Sequence, residues 1–253
     1  MFKNMSLGFC LFFLLTISQS SFAATTLVAV TANFSKPMTE IVSGFEKATG
    51  HSANLSFGST GKFVSQMENG APFELLLAAD EKGPEKLIQD GFAVSGSQFI
   101  YAVGKLVLWS ATPGYVDNQG KILSSGGFKH LALADPKLAP YGVAAIEVLN
   151  GLKLQDKLQP LIVQAESIAQ AYQFVSTGNA ELGFVALSQV FDNGKVTSGS
   201  AWIIPEELHA PIKQTAVLLK KGAENPAATA LLAYLKSAPA LEIIKKYGYD
   251  LAK

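Results

Sequence analysis

The chain has 253 residues, 49% of them hydrophobic, and its 20 basic side chains balance 20 acidic ones, so the positive footprint of a nucleic-acid-binding protein is missing. All 20 basic residues are lysine. Without arginine there is no planar fork to grip carboxylate or phosphate bidentately, and any bound anion must be held by neutral donors or by lysine.

The first 23 residues read as an export signal. Lys3 supplies the positive start, residues 7–17 are an apolar core, and Ser21-Phe22-Ala23 carries small residues where a signal peptidase needs them. The apolar run falls short of the roughly 20 residues that span a bilayer, which favours export over anchoring. The mature chain is expected to begin at Ala24. Cys10, the one cysteine, lies inside the signal, and Phe9 before it is too large for a lipoprotein processing site. The mature protein therefore has no disulfide and depends on its core alone. About 230 residues remain, enough for two lobes of ordinary size.

In chain order, residues 27–31 read as a short buried strand and residues 32–36 as the loop after it. Pro37 suits a first helical turn, followed by Met38, Ile41, Val42 and Phe45 at helical spacing and by Gly50 as a stop. Leu55 and Phe57 belong to a second strand, which turns through Gly58-Ser59-Thr60-Gly61 into a helix carrying Phe63, Val64 and Met67. Such a strand-to-helix turn leaves backbone N–H groups and the positive end of the helix dipole facing one point, which makes an anion cradle. Residues 75–79 form a third strand, followed by Asp80 and a helix over residues 84–90. Near-continuous apolar strands alternating with helices predict mainly parallel sheets covered on both faces.

Residues 99–109 form one long extended stretch, suited to a crossing between lobes. The strand-loop-helix rhythm restarts at residues 131–134, with residues 135–142 as loop and 143–149 as helix. A strand at 161–163 leads into a helix from Ile168, and a strand at 182–186 follows. Residues 212–219 suit the return crossing, and two helices follow Pro226 and Pro239. This predicts an α/β chain with a discontinuous first lobe, residues 24–104 and 218–253, and a second lobe of residues 105–217.

Several residues have both a chemical and a structural reading. Ser59 and Lys62 match the S-x-x-K spacing of serine enzymes in which lysine activates serine, but no K-T-G or S-D-N follows. The same stretch fails as a P-loop because Phe63 replaces the required hydroxyl residue. His51, His130 and His209 lack the spacing of metal ligands. Asp80 and Asp135 follow strands, where either a ligand site or a helix cap fits. Tyr141, between Pro140 and Gly142, is held stiffly at the carboxyl end of a strand and is the better candidate for a functional group.

Taken together, Val30-Thr31-Ala32-Asn33-Phe34, Gly58-Ser59-Thr60-Gly61, Asn69-Gly70-Ala71-Pro72, Ala78-Ala79-Asp80, Asp135-Pro136, Pro140-Tyr141-Gly142, Gly178-Asn179-Ala180-Glu181-Leu182-Gly183 and Lys246-Tyr247-Gly248-Tyr249 resemble, in order and spacing, the periplasmic molybdate-binding proteins of ABC transporters. The resemblance covers essentially the whole mature chain. It implies a two-lobed, type II periplasmic binding protein that encloses molybdate or tungstate between its lobes, acts as a monomer without a cofactor and delivers the ion to an inner-membrane permease. The family's donors fall on Asn33, Thr60, Tyr141 and the backbone N–H of Ile168, with Ala32 as a lesser backbone candidate. The metal is then held through its oxygens, with no direct ligation. One position departs from the family: many members place a tyrosine hydroxyl where this chain has Ala186, and Tyr141 is the expected substitute. A receptor for sulfate and a serine hydrolase built on Ser59 and Lys62 are the alternatives.

Overall fold

The computed structural model describes residues 23–252. The expected signal segment and Cys10 lie outside the described residues, apart from Ala23 at its end.

The chain enters as β1 (Thr25–Thr31), makes one 3-10 turn (Ala32–Phe34) and continues directly into α1 (Ser35–Thr49). The expected loop over residues 32–36 is thus already helical, and Gly50 ends α1 in the left-handed conformation with φ 74°. Next come β2 (Ser52–Gly58), α2 (Thr60–Glu68), β3 (Leu75–Ala78), α3 (Lys82–Gln89) and β4 (Phe99–Gly104). The second lobe contains β5 (Leu106–Ser110), α4 (Ile122–Ser125), β6 (Leu131–Ala134), α5 (Pro140–Gly151), α6 (Gln155–Leu158), β7 (Ile162–Ala165), α7 (Ile168–Ser176), β8 (Leu182–Ala186) and α8 (Leu187–Val190). The small hairpin of β9 (Phe191–Asp192) and β10 (Lys195–Val196) precedes β11 (Ser200–Ile203). The chain closes with β12 (Ile212–Leu218), α9 (Pro226–Tyr234) and α10 (Ala238–Lys246).

Two five-stranded sheets organise these elements, in the orders β2-β1-β3-β12-β4 and β11-β5-β8-β6-β7. Each is mixed. The strands that alternate with helices pair in parallel (β1 with β2 and β3, β6 with β7 and β8), whereas β12 and β5, which border the crossings, pair antiparallel. The extended stretch at residues 99–109 is split at Lys105, with β4 in the first sheet and β5 in the second. The return crossing lies earlier than residue 218. β12 pairs with β3 and β4, so the chain changes lobe between Ile203 and Ile212 and residues 212–217 belong with the first sheet. A run of apolar residues does not reveal whether it crosses to a sheet or already lies in one, because both are extended and buried.

The inner strands of both sheets are apolar on both faces because both faces are covered. Along β1, Val28 and Val30 pack with α1, α9 and α10, while Ala29 points to the cluster of Phe63, Met67 and Leu87 from α2 and α3. In β5, Leu106 and Leu108 face the cluster containing α5, and Val107 and Trp109 face Val175 of α7 and Val190 of α8. This period of two with no polar face is what near-continuous hydrophobic strands encode.

One close approach sets the position of α5. A Cβ at Gly142 would lie 2.1 Å from the carbonyl oxygen of Ala134, so only glycine lets the start of the helix rest on the end of β6. Gly142→Ala should lower the unfolding free energy by about 1–3 kcal/mol, as overpacking does, measured by urea denaturation. Unchanged stability would mean that α5 shifts at no cost.

Candidate functional site

The carboxyl ends of β1 and β2 in one sheet and of β6 and β7 in the other lead into helical starts that converge on a single small cavity between the lobes. Thr31, Ala32, Asn33, Gly58, Ser59, Thr60 and Ala79 wall it from the first lobe. Ala139, Pro140, Tyr141 and Ile168 wall it from the second. The space is narrow, and Tyr141 is the one residue in its walls with an ionisable side chain. A wider groove runs outward past Asp80, Lys137 and Glu147, but its walls mix acidic and basic groups and are open to water.

Thr60 opens α2, Ile168 opens α7 and Tyr141 is the second residue of α5. Backbone N–H groups at such positions have no partner within their own helix, and each helix adds the positive end of its dipole. The 3-10 turn at Ala32 and Asn33 offers its first N–H groups in the same way. The Thr60 hydroxyl accepts from the N–H of Ala79 at 3.1 Å, which leaves its own hydrogen to be donated elsewhere.

All five sequence-predicted residues therefore line one cavity, but the Asn33 side chain is already engaged. Its Nδ2 donates to Gln214 Oε1 at 2.7 Å and to the Tyr249 hydroxyl at 2.9 Å, using both amide hydrogens behind the cavity. Only the Asn33 backbone remains for a ligand, because a buried amide satisfies its donors within the protein first. Its carbonyl accepts from the hydroxyls of Ser188 at 2.7 Å and Tyr249 at 2.9 Å. Ala186 is buried at the end of β8, with its N–H donating to Gln189 Oε1 at 2.9 Å. Gln189 Nε2 in turn donates to the carbonyl of Ile168 at 3.1 Å, which ties the start of α7 to the end of β8. The supporting residues Ser188, Gln189, Gln214 and Tyr249 escape sequence reasoning, although Tyr249 belongs to a quoted motif. Their partners lie up to 216 positions away.

Tyr141 is 1% exposed, and its hydroxyl lies near Tyr249 and Asn33 without a well-formed hydrogen bond among the described residues. It also sits against the first crossing, since a Cβ at Gly104 would lie 2.1 Å from it. Burial, then the neighbouring Tyr249, holds the Tyr141 phenol well above the ordinary tyrosine range. Burial likewise raises Tyr101, and Tyr249 is pushed up to about 12.

Other candidates take structural roles. Asp80 Oδ1 accepts from the N–H of Gly83 at 2.8 Å, and burial raises its carboxyl. Asp135 Oδ1 accepts from the N–H of Lys137 at 2.8 Å in the loop before α5. His51 is buried, and its Nδ1 accepts from the N–H of Ala24 at 3.1 Å, while His130 is exposed and His209 half-buried. Among the described residues no group of three or more His, Cys, Asp or Glu side chains could hold a metal ion. Lys62 pairs with Glu166 across the lobes at 2.5 Å, and the Ser59 hydroxyl has no hydrogen-bond partner among the described residues. The pairing required of a lysine-activated serine is absent there.

The lobes touch directly at the rim of the site. The N–H of Gly61 donates to the carbonyl of Leu138 at 3.0 Å, and Lys36 Nζ donates to the carbonyl of Gln189 at 2.8 Å. The arrangement is a closed one.

The neutral phenols set the direction of an alkaline response. For an acid with a raised folded-state pKa, the stability contribution is fully present below the unfolded value near 10 and is lost as pH rises through the folded value. Tyrosine absorbance and circular dichroism followed from pH 9 to 12.5 should show these three phenols ionising together with unfolding. Their ionisation in a fully folded protein would contradict the burial argument.

The chain matches the family model described as bacterial extracellular solute-binding protein over residues 26–250. It is 60% identical over 229 residues to the molybdate-binding protein ModA of Azotobacter vinelandii, covering 90% of this chain and 91% of that one. It is 53% identical over 227 residues to ModA of Rhodobacter capsulatus, covering 90% and 88%. The solved periplasmic molybdate-binding protein of Azotobacter vinelandii superposes with a TM-score of 0.87 at 45% identity, over 90% of this chain and all of that one. The expected two-lobed, type II architecture is thus the one found, and the relatives are binding proteins, not enzymes. The chain belongs to the bacterial extracellular solute-binding proteins and, within them, to the ModA family.

Proposed function

We propose that this protein is an exported receptor that captures molybdate, with tungstate as an equivalent ligand, and passes it to an ABC permease in the inner membrane. One observation carries the reading. Helical starts from both lobes converge on a small cavity whose walls hold neutral donors and no lysine, histidine or carboxylate. A dianion buried there is stabilised by dipoles and hydrogen bonds, with no counter-ion, which also accounts for a chain without arginine. The names of the ModA relatives supply the identity of the ion.

In this reading the backbone N–H groups of Ala32 and Asn33 and the hydroxyl of Thr60 receive the oxyanion on the first lobe. Closure brings the Tyr141 hydroxyl and the Ile168 N–H onto it from the second, with Tyr141 replacing the tyrosine that many members carry at the Ala186 position. The metal stays inside its shell of oxygens. Contacts to both lobes are what bias the open-closed equilibrium, and the closed form presents the surface a permease would read. The protein acts as a monomer in the periplasm after removal of residues 1–23.

Titration calorimetry of the mature protein with molybdate, tungstate, sulfate, phosphate and chromate tests the reading. Binding of molybdate and tungstate alone is expected, and sulfate bound in their place would overturn the assignment. Tyr141→Phe should weaken molybdate binding about tenfold or more, as loss of a hydrogen bond to a charged group implies. Unchanged affinity would remove Tyr141 from the donor set. Because the site holds no group that titrates near neutrality, affinity should vary little between about pH 6 and 8. A steep change across that range would require an ionisable partner at the ion.

A further inference from the structure

We infer that Ser59, beside the expected donor Thr60, gives its hydroxyl to the bound oxyanion and so adds a side-chain hydrogen bond from the first lobe. The inference rests on the oxyanion reading above. Ser59 is 4% exposed and lines the cavity, and its Oγ is buried with no hydrogen-bond partner among the described residues. An unpaired buried hydroxyl is costly, so one found in a binding cavity points to a ligand that satisfies it.

Local geometry rules out the ordinary fate of such a serine. Ser59 is the N-cap residue of α2, with φ −90° and ψ 153°, yet its side chain makes no capping bond. At the matching position of α7, Ser167 accepts from the N–H of Gln170, and at α10, Ser237 accepts from the N–H of Ala240. Capping by a serine side chain stabilises a helix start, and Ser59 forgoes it. Its neighbour has the opposite arrangement, since the Thr60 oxygen is fixed by Ala79 and only its hydrogen is left to donate. Two adjacent hydroxyls at the start of a nine-residue helix then face one ion, together with the helix dipole.

Calorimetric titration with sodium molybdate, run on the unaltered mature protein and on Ser59→Ala, Ser59→Thr and Thr60→Ala, tests this, with the melting temperature of each ligand-free form measured alongside. Ser59→Ala is expected to weaken binding about tenfold or more while the ligand-free melting temperature stays at or above that of the unaltered protein. Ser59→Thr, which keeps the hydroxyl, should restore most of the affinity. Two results would overturn the inference: wild-type affinity in Ser59→Ala, or weaker binding in Ser59→Ala accompanied by an equal fall in ligand-free stability, which marks a merely structural serine. If Ser59→Ala binds normally while Thr60→Ala binds weakly, the inference fails and the oxyanion reading survives. If the unaltered protein binds no molybdate, the reading itself fails and takes this inference with it.

Discussion

In the proposed function, the constraint behind the whole structure is the cost of burying a doubly charged ion without a counter-charge. Desolvating an ion is expensive, and the cost is recovered only when several donors are already aimed at it. Helical starts meet that need because their free N–H groups and dipoles are fixed by the backbone, independent of side-chain charge. Strand-loop-helix units at the facing edges of two sheets bring those starts together. The parallel halves of both sheets exist in this sense to deliver helix N-termini to one place.

The second consequence is that the donors must be held rigidly from behind. Asn33 shows how this is done: its amide is used up on Gln214 and Tyr249, and its carbonyl accepts from Ser188 and Tyr249, so the turn at β1 is fixed by β12, α8 and the C-terminal segment together. Gln189 does the same for Ile168 on the other lobe. Glycines make the close approaches possible. Gly142 seats α5 on β6, Gly104 admits the Tyr141 hydroxyl beside the crossing, and Gly61 brings α2 against Leu138. Exposed ion pairs such as Lys62–Glu166 add little by comparison, at most about 1 kcal/mol in water.

Much of this was legible in the residues. Hydrophobic runs with no polar face announced sheets covered on both sides, and Gly50 and the stretch from Gly58 to Gly61 marked a helix end and a helix start. Where the reading slipped, periodicity was silent. The extended run at residues 99–109 does carry the first crossing, at Lys105 between β4 and β5, whereas most of the run at residues 212–219 lies within the first sheet. An apolar extended segment looks the same in either role, because register and partner are long-range properties.

The amino-acid sequence by itself determined the class of chemistry. A chain whose basic residues are all lysine, with helix starts rich in glycine and hydroxyl residues, can bind an oxyanion only through neutral donors or lysine, and that follows from composition and local turn preference; the folded cavity, which no lysine lines, removes the second choice. The tertiary structure decided which donors are left over. Asn33 turned inward to Gln214 and Tyr249, Thr60 anchored its oxygen on Ala79, and Ser59 kept a hydroxyl without a hydrogen-bond partner among the described residues, although all three look equally available in the chain. Availability depends on what packs behind each group, and those partners come from residues up to 216 positions away that only folding brings into contact.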